Sequence, residues 1–186
     1  MNTNIHNSFF LKYIFLFLIF GAFASITEAQ TGSPAKTHQN TKAAADTSKF
    51  PDAIGWVNDF EEVLDSATEA RLTKLIVDHN NKTTNQISIV TISSIAPYAY
   101  MADFTRDLSN AWGVGDKDKN NGVTIIYSKA LREVRIATGL GIEKKLNDAL
   151  CHKIVNELMI PSFKAGNPGK GMIDGVTEII RILEMK

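Results

Sequence analysis

Oxygen-bearing side chains alternate in the stretch Asp116-Lys117-Asp118-Lys119-Asn120, which is framed by Gly113, Gly115 and Gly122. Such oxygens at positions 1, 3 and 5 of a loop are what a hard divalent cation requires. A complete EF-hand would carry Gly at position 6 and Glu at position 12, and this chain has Asn121 and Tyr127 there. The same residues suit a solvated Asp/Asn/Gly turn, with two lysines offsetting the charge. Asp59 lies where a first strand would end, a place that also suits a turn or cap residue. Glu143 and Asp148 follow Gly139-Leu140-Gly141, as a site carboxylate and as a site carboxylate or helix cap respectively. Arg132 opens a strand and could clamp a phosphate or carboxylate, or pair with Glu133 on the surface.

Other chemistries lack their residues. Lys144 stands where a dinucleotide fingerprint would need its third glycine, and no GxSxG, HExxH or P-loop occurs. A single cysteine, Cys151, excludes an intrachain disulfide framework and a Cys-based zinc cage. It falls among Leu150, Ile154 and Val155 and reads as core, with His152 aimed elsewhere on the helix. His79 near a helix C-terminus needs no more than a dipole contact. Twenty basic residues balance twenty acidic ones, so nothing draws the chain towards nucleic acid.

These residues must be positioned by the elements around them. Ser66-Ala67-Thr68-Glu69 reads as a capping box, followed by Leu72, Leu75, Ile76 and His79 at helical spacing, with Asn80-Asn81 closing the helix. Residues 86–92 and 123–128 are β-branched runs apolar on both faces, the signature of strands covered on both sides. Residues 133–138 form the second run's hairpin partner, and a short strand falls near Gly55-Trp56-Val57. Met101, Phe104, Thr105, Leu108 and Trp112 mark one helix, ended by Gly113. Asp148–Met159 marks another, stopped by Pro161, and the last helix opens with Asn167 as cap and Pro168 in its first turn. Strands alternating with helices predict an α/β fold: a three-layer α/β/α sandwich, Rossmann-like, with a mixed and mostly buried sheet.

The N-terminus has a different composition. Six of ten phenylalanines fall within the first 23 residues, and Tyr13–Ala24 is an uncharged apolar run after Lys12. The run is too short for a comfortable bilayer span. Thr27 and Ala29 supply small residues for cleavage, so residues 1–29 read as a signal peptide, with a retained anchor as the alternative. Residues 30–49 hold no large apolar side chain before their end and read as a flexible linker to a domain at 50–186. The expectation is a secreted or periplasmic protein without a transmembrane segment in its mature chain.

Taken in order, several strings resemble the TPM-domain family, the thylakoid acid phosphatase-like domain of many secreted bacterial proteins. They are Val57-Asn58-Asp59-Phe60, Trp112-Gly113-Val114-Gly115, Asn121-Gly122-Val123, the run from Arg132 to Glu143, Leu146-Asn147-Asp148, and Ile160-Pro161-Ser162-Phe163. The resemblance implies an acidic cleft along one sheet edge that binds a divalent cation, Ca²⁺ or Mg²⁺. Carried onto this chain, its metal ligands would be Asp59, Asp116, Asp118, Asn120, Glu143 and Asp148. It also implies acid phosphatase chemistry, for which Asp59, Arg132 and Asp148 are the catalytic candidates. The alternative it implies is a non-catalytic module assisting the assembly or maintenance of envelope or membrane protein complexes, with no nucleotide or nucleic-acid partner. Glu61 departs from the family pattern, which has a small residue there.

Overall fold

The structure, a computed structural model, describes residues 49–185. The signal peptide and nearly all of the linker expected from sequence lie outside them. Ten elements follow one another: β1 (Val57–Asp59), α1 (Ser66–Thr83), β2 (Gln86–Thr91), α2 (Met101–Trp112), β3 (Gly122–Ser128), β4 (Glu133–Thr138), α3 (Asp148–Ile154), a π-turn (Val155–Met159), α4 (Ile160–Lys164) and α5 (Pro168–Glu184).

The sheet has the order β1-β2-β3-β4, parallel except for the β3–β4 hairpin. Residues of β2 and β3 alternate between two separate cores, as period-2 geometry requires. Ile87, Ile89, Val123 and Ile125 join Leu72 and Ile76 of α1 with Met172, Val176 and Ile179 of α5. Val90 and Ile126, on the other face, meet Met101, Phe104 and Leu108 of α2. Phe104 receives Phe50 and Tyr98 edge-on, with ring centroids 5.5 and 5.4 Å away. The three-layer sandwich read from the sequence is therefore present. Among the described residues no helix is long and apolar enough to cross a membrane.

Strand order advances in one direction from β1 to β3, yet α1 and α2 lie on opposite faces. The two parallel crossovers consequently have opposite hands, a departure from the usual right-handed rule.

Local signals needed three corrections. The cap of α1 is Asp65, whose side chain accepts from the Thr68 N–H, so the helix starts one residue earlier than the expected box implies. Its end is not Asn80-Asn81: α1 runs on to Thr83 and closes on Thr84 at φ 65°. Nor does Pro161 stop a helix. The chain widens into the π-turn, and Pro161 falls in the first turn of α4, where a missing N–H costs little. At α5 the cap is Asn167 with Pro168 next, as the sequence indicated.

Candidate functional site

The parallel strands β1, β2 and β3 all end on one side of the sheet, and two groups of candidate acidic residues stand at its opposite ends. At the strand ends stands Asp59, the last residue of β1. One carboxylate oxygen accepts the Leu64 N–H at 2.7 Å and the other accepts a short hydrogen bond from the buried Thr91 hydroxyl at the end of β2. Next to it, the two oxygens of Glu61 accept the N–H groups of Lys129 (2.8 Å) and Ala130 (3.1 Å). Glu61, the departure from the family pattern, thus holds the β3–β4 hairpin loop to the loop after β1. Both carboxylates are occupied as backbone acceptors.

The opposite end is built on backbone. Gly122 opens β3 so close to the Val114 carbonyl that a Cβ would be driven into it, and Gly141 lies equally close to the Lys119 carbonyl. Gly141 and Gly139 donate N–H groups to the Asn120 and Gly122 carbonyls at 3.0 and 2.8 Å. Loops 113–122 and 139–143 are locked together in this way. Gly122, Gly139 and Gly141 act as contact points between backbones.

Within that lock, one oxygen of Asp116 accepts the N–H groups of Asp118 (2.9 Å) and Lys119 (3.0 Å). Those donors hold the Asp116 carboxyl below the usual carboxylate range. Asn121 is buried and takes the Asp116 N–H on its side-chain oxygen. The second oxygen of Asp116 and the side chains of Asp118, Asn120 and Glu143 are exposed and make no hydrogen bond or ion pair among the described residues. A crevice of about 250 Å³ beside the loop is lined by Asp116, Asn120, Ser109, Thr138 and four glycines. Among the described residues, no three His, Cys, Asp or Glu side chains converge as a ready metal cage.

The single acidic cleft expected along one edge is therefore divided. Asp59 and Arg132 lie at the strand ends, whereas Asp116, Asp118, Asn120 and Glu143 lie where β3 begins. The seven residues of β3 separate the two groups by roughly 20 Å at the strand rise of about 3.3 Å per residue. Asp148 belongs to neither group. It is the first residue of α3, capped by Asn147 rather than capping, and shares a small cavity of about 170 Å³ with Glu133, Arg135, Cys151 and His152. Burial, with Asp148 adding to it, pushes the Cys151 thiol up to about 11, which suits an inert core residue.

Sequence reasoning missed three residues that organise the strand-end side. Asn58 is fully buried, accepts the Ile54 and Gly55 N–H groups, and donates to the Ile89 carbonyl of β2. Thr91 is the second, and the third is Glu61, noted from sequence only as a departure from the family pattern and not for its bracing role. The Asn-Asp pair after an apolar residue was the available signal, since both side chains favour local backbone bonding. His79 was also under-read. It is buried and its Nδ1 lies 2.9 Å from Glu184, joining α1 to the end of α5.

The glycine-locked loops, the hairpin and the Ile160-Pro161-Ser162-Phe163 turn all lie inside residues 57–182, and the profile of the TPM domain matches that same span. The chain belongs to the TPM domain family. Among solved structures, this TPM domain is similar to the N-terminal domain of a P. gingivalis protein, at 31% identity and TM-score 0.65, over 75% of this chain and 88% of that one. A protein of the psychrophilic bacterium Bizionia argentinensis shares the fold at 22% identity and TM-score 0.58, over 67% and 83%. The N-terminal domain of a Corynebacterium glutamicum protein does so at 16% and 0.55, over 71% and 82%. No curated protein matches the chain.

Proposed function

We propose that this TPM domain works outside the cytoplasm as a binding module rather than as a hydrolase. Its loop at Asp116–Asn120, with Glu143 beside it, takes a divalent cation of the Ca²⁺ or Mg²⁺ class and presents an ordered surface to an envelope or membrane-complex protein. The observation that carries this reading is the contrast in carboxylate use. At the strand ends every acidic oxygen of Asp59 and Glu61 is taken by an N–H or hydroxyl, while the second oxygen of Asp116 and the oxygens of Asp118, Asn120 and Glu143 stay open on braced loops. Open oxygens on a rigid loop suit a hard cation completed by carbonyls and water. Phosphomonoester hydrolysis would need Asp59, Arg132 and Asp148 to act together, and Asp148 lines a different cavity from Arg132. The Lys12-led apolar run and the small residues Thr27 and Ala29 support export.

The test is a Ca²⁺ titration of the chelated protein followed by amide NMR. Saturable shifts confined to residues 116–122 and 139–143 are expected, with no turnover of a generic phosphomonoester in the loaded state. Shifts at Asp59 instead, or none with either cation, would overturn the cation reading. Turnover that disappears in a folded Arg132→Ala variant would overturn binding without catalysis.

A further inference from the structure

Beside the hairpin, on the α4 side of the sheet, lies a cavity of about 500 Å³ that the cation reading does not use. Tyr127 and Phe163 form its base, with ring centroids 4.3 Å apart, and Val134 and Ile160 supply apolar wall. Lys129, Arg132 and Lys164 stand around it against one lining carboxylate, Glu133. All three are exposed, and none makes a side-chain hydrogen bond or ion pair among the described residues. Both oxygens of Glu61, the other carboxylate nearby, accept the hairpin N–H groups, and Glu61 forms no ion pair with any of the three. Tyr127 is only 7% exposed, and its hydroxyl, still open to solvent, makes no hydrogen bond among the described residues. An open phenol on a cavity wall is free to donate to a bound group.

The backbone gives a second sign. Arg132 sits at φ 56°, a left-handed conformation that glycine adopts freely and a long side chain does not. Nothing in the hairpin uses the guanidinium. A strained residue kept where glycine would be easier points to a use for its side chain.

We propose that this cavity binds a small organic anion with an apolar body, the carboxylate or equivalent head meeting Arg132, Lys164 and the Tyr127 hydroxyl while the body lies on Phe163, Val134 and Ile160. A bare inorganic anion would leave the apolar base uncovered, and a neutral apolar molecule would leave three cations and a phenol without partners. Pockets of this size, mostly apolar with a few convergent polar groups, suit ligands of that class.

The experiment uses octanoate as the probe, followed by amide NMR of the full chain, with octanol and inorganic phosphate as body-only and head-only controls. Octanoate is expected to give saturable shifts over residues 127–134 and 160–164. Each control should bind about tenfold more weakly or not at all, a difference of 1.4 kcal/mol. Arg132→Gly is the informative variant, since it removes the cation and the strain together. It should raise the melting temperature and weaken octanoate about tenfold. Tyr127→Phe should weaken octanoate several-fold with the fold unchanged. An undiminished octanoate response in folded Arg132→Gly would overturn the proposal, as would phosphate or octanol binding as well as octanoate. Co-sedimentation with phosphatidylglycerol vesicles without octanoate binding would also overturn it, by assigning the cations to a membrane surface. None of these outcomes bears on the cation at Asp116, so the two readings fail separately.

Discussion

The two ends of the sheet use the same residue type to opposite ends. Where the parallel strands finish, Asp59 and Glu61 accept from N–H groups and a hydroxyl, and three cations around a nearby cavity form no ion pair although Glu133 lies among them. Where β3 begins, the loops are held by glycine contacts and backbone hydrogen bonds, so Asp118 and Glu143 remain open to solvent. A carboxylate's role is decided less by its place in a motif than by whether unsatisfied backbone donors lie within reach.

The largest test of that contrast is Gly122→Ala. Its Cβ would collide with the Val114 carbonyl, a backbone atom that cannot swing aside, so a loss of about 3 kcal/mol or more is expected in urea unfolding. A loss below 0.5 kcal/mol, the range of an ordinary surface change, would mean the loops are not locked. Glu61→Ala comes next. It leaves the Lys129 and Ala130 N–H groups to water and should cost about 1–2 kcal/mol, with faster amide exchange confined to the hairpin loop. Exchange unchanged there would remove Glu61 from its bracing role.

Asp118→Ala sharpens the comparison from the other side. Its side chain braces nothing, so stability should change by less than about 0.5 kcal/mol while the Ca²⁺-induced shifts weaken. Retention of full cation affinity would shift the site away from this loop. The smallest effect concerns acid. Because Lys119 and Asp118 N–H groups lower the Asp116 pKa below 3.8, the turn's stabilisation is complete above that value and fades as pH falls through the lower folded pKa. The Asp118 and Lys119 amide resonances should therefore titrate with a midpoint below 3.8. A midpoint at or above it would contradict the bracing hydrogen bonds.

Much of the fold was legible in the chain. The span of β4, the Gly113 end of α2 and the Asn167-Pro168 start of α5 follow from short-range rules, because caps, turn residues and strand alternation act over four residues or fewer. Errors arose where a local signal had a competitor. Asp65 displaced Ser66 as cap by offering the better acceptor one residue earlier, and the π-turn absorbed Pro161. The candidate site was legible only as a set of residues. Their loops were identified, and chain order puts Asp59 after a strand and Asp116 before one, but only the parallel pairing of β1, β2 and β3 sends the two to opposite ends of the sheet.

Local chemistry in the sequence was enough to determine an α/β sandwich, its cysteine in the core, and an acidic loop rich in Asp, Asn and Gly. The tertiary structure alone decided that α1 and α2 take opposite faces, that Asp59 and Asp116 stand at opposite ends of the sheet, and that Glu61 closes the hairpin. It also brought Arg132 and Lys164 around Tyr127. These depend on contacts between residues thirty or more apart, such as Asp59 with Thr91 and Glu61 with Lys129. Such contacts follow from the packing of both sheet faces together, which no local pattern encodes.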